Sequence, residues 1–163
     1  MLIFEHPGDL ADHLRTLPDQ TAIGNDGLTG VGKTTLARSL AVALGGSTLD
    51  LDPFLDRDRK CFVKALKIRD LRSALTSAVQ PLFLSGICLR EALALVGYTA
   101  SCHVYVKRMT GWGWADEDEL GTDAVPEVDS NSGGAHLRHE MRRYHEKWKP
   151  HLAADYEFQR IDG

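Results

Sequence analysis

Gly27-Leu28-Thr29-Gly30-Val31-Gly32-Lys33-Thr34 fits the pattern G-x-x-x-x-G-K-[ST]. These residue types at this spacing suit an anion. Glycines let a loop wrap so that its N–H groups converge, and a helix starting at the loop's end adds the positive end of its dipole. A lysine there reaches the β- and γ-phosphates of a nucleotide, and the next hydroxyl can rest on Mg²⁺. The flanks agree. Thr21-Ala22-Ile23-Gly24-Asn25 is a short apolar run suited to a buried strand. From Lys33 onward Ala37, Leu40, Ala41 and Leu44 recur at helical spacing until Gly45-Gly46. Gly27, Leu28, Thr29, Gly30, Val31, Gly32, Lys33, Thr34 and Thr35 are therefore the expected nucleotide-binding residues, with ATP and Mg²⁺ as the expected ligands.

Outward from the loop the chain alternates strands and helices. Asp9 to Leu17 predicts a short helix with Asp9 as its N-cap, and Pro18 follows. Ser47–Leu51, Pro81–Ile87 and Cys102–Val106 predict further strands, and Tyr156–Gln159 a last, edge-like one. Helical material is expected over about 58–79, over Leu89–Val96 closed by Gly97, and over Ala135–Trp148. In the last of these Leu137, Met141, Tyr144 and Trp148 share a face before Pro150. The alternation predicts an α/β fold with a parallel sheet. The length, 163 residues, predicts one domain spanning 1–163, at roughly 150 residues per domain.

Composition narrows the function classes. Hydrophobic residues make up 43% and charged residues 26%, which excludes a wholly disordered or fibrous chain. No apolar run approaches the ~18 residues of a membrane span, and the N-terminus has no signal-peptide pattern. A net charge of −4 offers no bulk attraction to nucleic acid or anionic lipid. Cys61, Cys88 and Cys102 read as reduced thiols of a cytoplasmic protein, since they are odd in number and lie in apolar surroundings.

No N-K-x-D segment specifies guanine, and a motor would need a much longer chain. A small-molecule kinase suits this length better. Leu49-Asp50-Leu51-Asp52-Pro53-Phe54 places two carboxylates near the C-terminal end of a parallel strand, where ligands bind. Asp52 is the candidate base for the attacking hydroxyl, and Thr34, Asp50 and Asp52 are the candidate metal residues. Asp50 and Asp52 face one side if the strand reaches Asp52. Arg108, Arg138 and Arg142 are the candidates for stabilising transition-state charge. His136 and His139 read as surface histidines.

Residues 109–133 hold seven acidic residues and neither lysine nor arginine; without them the net charge of −4 becomes +3. With Trp112 and Trp114 this segment reads as a lid or an insertion. As a lid it would favour a cationic or amine-bearing acceptor, while packing on core or interface is the plainer reading of its tryptophans.

In order along the chain, the motifs resemble the uridine kinase family of P-loop kinases, which includes nicotinamide riboside kinases and phosphoribulokinases. Ile23–Thr35 resembles that family's first strand and loop, and Asp52-Pro53-Phe54-Leu55 its Asp-x-Phe-Tyr segment, whose Asp is the proposed base. Leu82–Ile87 resembles a strand ending Glu-Gly-Ile, and Val104–Arg108 the strand leading to the lid. Tyr144–Pro150 with Ala154-Asp155-Tyr156 resembles the closing stretch. The resemblance implies a P-loop NTPase fold: a five-stranded parallel sheet, order 2-3-1-4-5, between helices. It also implies transfer of the γ-phosphoryl of ATP to a hydroxyl of a small molecule. Ser85 stands where the family has a Glu that helps to hold Mg²⁺, and Leu55 where it has a Tyr. Two other readings stay open: a P-loop nucleotide-binding regulator or pseudokinase without phosphotransfer, and a toxin kinase acting on a cell-wall sugar nucleotide.

Overall fold

A computed structural model describes residues 1–17, 22–54, 63, 66–121 and 133–161. Its strands are β1 (Leu2–Phe4), β2 (Ala22–Asp26), β3 (Ser47–Asp50), β4 (Leu82–Ser85), β5 (Cys102–Thr110), β6 (Gly113–Trp114) and β7 (Tyr156–Ile161). Its α-helices are α1 (Pro7–Arg15), α2 (Lys33–Leu44), α3 (Ile68–Ser77), α4 (Leu89–Val96), α5 (Gly133–Trp148) and α6 (Pro150–Ala153). The sheet runs β1-β7-β5-β2-β4-β3 in space, with β6 paired to β5. Every pairing is parallel except β5–β6. The chain is thus an α/β parallel-sheet fold flanked by helices.

The apolar runs explain the placement. Ala22 to Asp26 are all buried, so β2 takes the middle of the sheet with a parallel neighbour on each side. Leu82, Phe83 and Leu84 are equally buried in β4. One helical layer packs α1 on α2, through residues such as Leu10, Leu14 and Leu40. A second group joins α3, α4 and α5 around Leu71, Leu89, Leu93 and Tyr144. Among the described residues no helix is long and apolar enough to cross a membrane.

Several expectations are corrected. Among the described residues the sheet has seven strands, not five: β3-β4-β2-β5-β7 keep the order 2-3-1-4-5, while β1 adds a parallel strand outside β7 and β6 folds back on β5. Tyr156–Gln159 is therefore not an edge, because β7 is bonded on both sides. The N-cap of α1 is His6, with Pro7 at the first position, so Asp9 lies in the first turn, where its charge meets the helix dipole. The strand at Ser47 ends at Asp50 and does not reach Asp52. Pro150 follows α5 as expected and also opens α6.

Of the 109–133 segment, residues 109–121 have regular local structure. Met109 and Thr110 end β5, Gly113 and Trp114 form β6, and Glu117–Leu120 is a 3-10 turn. Trp114 packs edge-on against Tyr105 (6.0 Å between ring centres) and lies under the Lys107 ammonium at 4.5 Å. Trp112, at the hairpin tip, is fully exposed and touches no core. Cys88 and Cys102 are buried free thiols, and burial pushes Cys102 up to about 12. Leu55, Cys61 and residues 122–132 lie outside the described residues.

Candidate functional site

The loop between β2 and α2 is shaped by backbone that only some residues can adopt. Gly27 has φ +143°, and a Cβ there would stand 2.5 Å from the Val106 carbonyl oxygen. Gly32 has φ +102° and carries the Arg160 guanidinium against it, 3.1 Å from where its Cβ would be. A side chain at either position would strain the backbone and push the loop off its neighbours. Glycine at these points is what lets the loop close over the end of β2.

Lys33, first in α2, is buried. Its ammonium donates to the carbonyls of Gly27 at 3.0 Å and Leu28 at 2.5 Å. Burial holds its pKa below the usual lysine value, opposed by the charges of Asp26, Asp52 and Asp50. Asp26, at the end of β2, is buried beneath the loop. One of its oxygens accepts the Gly27 N–H at 2.8 Å, and the other accepts the Tyr144 hydroxyl. Burial raises the Asp26 pKa; Tyr144, Gly27, Lys33 and Arg90 oppose the rise. Tyr144 also accepts the Arg90 N–H at 3.2 Å, and the Thr29 hydroxyl donates to the Met141 sulfur at 3.3 Å. Helix α5 is thereby tied to the loop at two points, through residues whose spacing alone predicts a core stripe.

A second cluster stands at the other side of Lys33. The Thr34 hydroxyl lies 3.3 Å from Asp50 Oδ2 and 3.3 Å from the Ser85 hydroxyl. Asp50 Oδ1 accepts the Asp52 N–H at 3.1 Å. Asp52 opens a 3-10 turn, Asp52–Phe54, at the C-terminal mouth of β3. One carboxylate and two hydroxyls in mutual reach are hard oxygen donors of the kind Mg²⁺ takes, so the residues present fit that ion. Among the described residues there is no cluster of three His, Cys, Asp or Glu side chains that would hold a metal alone. Phosphate and water would have to complete any such site.

These groups open into one cavity of about 290 Å³. Thr29, Gly30, Gly32, Lys33, Thr34 and Thr35 line it from the loop, and Asp50 and Asp52 from beyond β3. Gly86, Ile87 and Arg160 complete the lining; sequence reasoning read the first two only as the end of a strand and did not single out Arg160. A signal for Arg160 existed. It stands two residues after buried Phe158, hence on the same face, at the C-terminal end of a parallel strand.

The other arginines lie elsewhere. Arg108 pairs with buried Asp116, and its Nε donates to that carboxylate at 3.3 Å. Arg142 Nε donates to the Glu119 carbonyl at 3.0 Å, and Arg138 is exposed on α5. None of the three lines the cavity. His136 is partly exposed and His139 exposed.

No family model and no curated protein sequence matches the chain. Among solved structures it is similar to a chain from Bacillus stearothermophilus described as a possible uridine kinase. The TM-score is 0.61 at 15% identity, over 93% of this chain and 97% of that one. It is also similar to shikimate kinase from Acinetobacter baumannii in complex with shikimate. There the TM-score is 0.47 at 19% identity, over 94% of this chain and 89% of that one. At such identities the first likeness is one of fold alone: the chain shares its α/β parallel-sheet architecture with that structure.

Proposed function

We propose that the protein is an ATP-dependent kinase that moves the γ-phosphoryl group to a hydroxyl of a small molecule. The observation that carries this reading is the single cavity in which the loop, Lys33, Thr34, Asp50 and Asp52 meet. In the proposal the loop N–H groups and Lys33 hold the phosphates, since converging donors and a fixed cation suit a charge-rich chain. Mg²⁺ would be held by Thr34 and Asp50, beside Ser85, and when bound would neutralise phosphate charge. Asp52, at the mouth of the cavity, orients the acceptor hydroxyl and takes its proton as the oxygen attacks phosphorus and the bond to ADP breaks. Arg108, Arg138 and Arg142 are not among the residues that line this cavity, and the proposal assigns them no phosphate contact. A cytoplasmic setting, where thiols stay reduced, is in keeping with free Cys88 and Cys102.

Ser85 favours one other reading, a nucleotide-binding regulator without transfer, because a hydroxyl supplies no charge where the resembling family has a carboxylate. The test is ATP turnover with a panel of nucleosides, sugars and amine-bearing alcohols, for wild type and Asp52→Asn. The proposal expects acceptor-dependent ADP release that falls ~10²–10⁴-fold in Asp52→Asn with ATP affinity within a few-fold. Tight ATP binding without transfer to any acceptor would select the regulator. A full-speed Asp52→Asn enzyme would remove Asp52 as the base.

A further inference from the structure

Arg160 lies at a junction. Its register partner on β5 is Arg108, so two guanidiniums leave adjacent parallel strands on one face at the sheet's C-terminal end. Arg108 meets the Asp116 carboxylate. Arg160 reaches the loop instead, with Nη1 3.3 Å from the Gly30 carbonyl and its side chain against Gly32. Behind it is a second cavity, also about 290 Å³, walled by Val31, Leu36, Pro7 and Phe158. Gly32, Thr35 and Arg160 line both cavities, so the two meet there.

The charge in the first cavity gives this position a consequence. Among the described residues its charged lining groups are Lys33, Asp50, Asp52 and Arg160. Without Arg160 that set is net negative, which opposes a polyphosphate. Lys33 alone is one positive charge against the two carboxylates of Asp50 and Asp52. A guanidinium that bridges the phosphate cavity and an apolar cleft matches a ligand that is anionic at one end and carries a flat apolar group at the other.

We propose that Arg160 is a binding residue for the donor nucleotide, gripping the phosphate chain at its nucleoside end, where it leaves the loop and turns toward the second cavity. The inference rests on the nucleotide site proposed above and assigns one of its contacts. The experiment measures Kd by calorimetry for Mg·ATP and for inorganic tripolyphosphate, with wild type, Arg160→Gln and Arg160→Lys. Loss of a charge-assisted contact should weaken both ligands about 10- to 100-fold in Arg160→Gln, and Arg160→Lys should recover most of it. Unchanged binding in Arg160→Gln overturns the proposal. So does weakened ATP with unchanged tripolyphosphate, which would make Arg160 a contact to the nucleoside. Equal losses in both variants with a lowered Tm also overturn it, since Arg160 would then only prop the Gly30 carbonyl. A wild type that binds neither ligand, with Lys33→Ala no different, would instead remove the nucleotide site itself.

Discussion

Tyr144→Phe removes one oxygen from a buried contact beneath the loop. The Tyr144 ring is fully buried, and its hydroxyl is a donor to Asp26 Oδ2 and an acceptor for the Arg90 N–H. In the variant one Asp26 oxygen loses its donor and one backbone N–H its acceptor, and water has little access to either. A bond to a charged group is worth roughly 1.5–3 kcal/mol and a stranded N–H about 1 more, so the expected loss is about 3 kcal/mol. For a chain of this size that lowers Tm by roughly 6–12 °C. The loss should also depend on pH. Burial raises the folded Asp26 pKa above its ordinary 3.8, so the folded chain binds that proton more tightly than the unfolded one. Stability from this group is then greatest below the ordinary value and falls as pH rises through the folded one. The Tyr144 hydroxyl opposes the rise, and its removal moves the folded value further up. The penalty should therefore be largest near pH 7.5 and shrink toward pH 4.5. Urea denaturation of both proteins at the two pH values measures it. A penalty that is the same at both, or below about 1 kcal/mol at pH 7.5, would refute the coupling of Tyr144 to an Asp26 carboxylate.

Lys33→Met keeps the volume of a buried side chain, and should weaken Mg·ATP binding at least about tenfold by calorimetry while far-UV circular dichroism stays unchanged. Asp50→Asn should weaken ATP binding chiefly at low Mg²⁺, and raised Mg²⁺ should partly restore the rate; adding Ser85→Glu should recover affinity, because Asp50 and Ser85 are register partners beside Thr34. Glu117, Asp118 and Glu119 are exposed, unlike Asp116. Neutralising those three together should raise KM for amine-bearing acceptors, more so at low salt, and leave neutral acceptors unaffected.

The strand–loop–helix unit was legible because its chemistry is local. Glycine, lysine and threonine at fixed spacing constrain the backbone by themselves, and the strands at Ala22, Leu82 and Cys102 are apolar runs whose burial leaves few alternatives. β1 was missed because Leu2-Ile3-Phe4 is three residues long and mostly exposed, so its pairing with β7 is a matter of tertiary register. Arg108 was readable as a strand-end cation, but its partner Asp116 belongs to a run of acids that looks like solvated charge. Only the β5–β6 hairpin brings the two together. Tyr144 and Met141 read as one apolar stripe, and spacing cannot say that the stripe ends on Asp26 and Thr29. Pairwise contacts of this kind depend on where elements from distant parts of the chain dock.

The register of the sheet also bears on Ser85. Asn25, Ser85 and Asp50 form one row across β2, β4 and β3. A carboxylate on β4 at Ser85 and one on β3 at Asp50 are therefore neighbours, and Thr34 stands 3.3 Å from the groups at both positions. Moving the acid from one strand to the next leaves the charge beside the same hydroxyl. A chain with carboxylates at both places would set two like charges side by side, where one would hold a proton or demand a cation. A single acid with a serine beside it keeps the oxygen donors and avoids that repulsion. Because Asp50 Oδ1 also accepts the Asp52 N–H, the same carboxylate fixes the turn that presents Asp52 to the cavity. The residue proposed for Mg²⁺ thus also positions the residue proposed as base, and Asp50→Asn should disturb metal affinity more than that turn, since an amide oxygen can still accept the N–H.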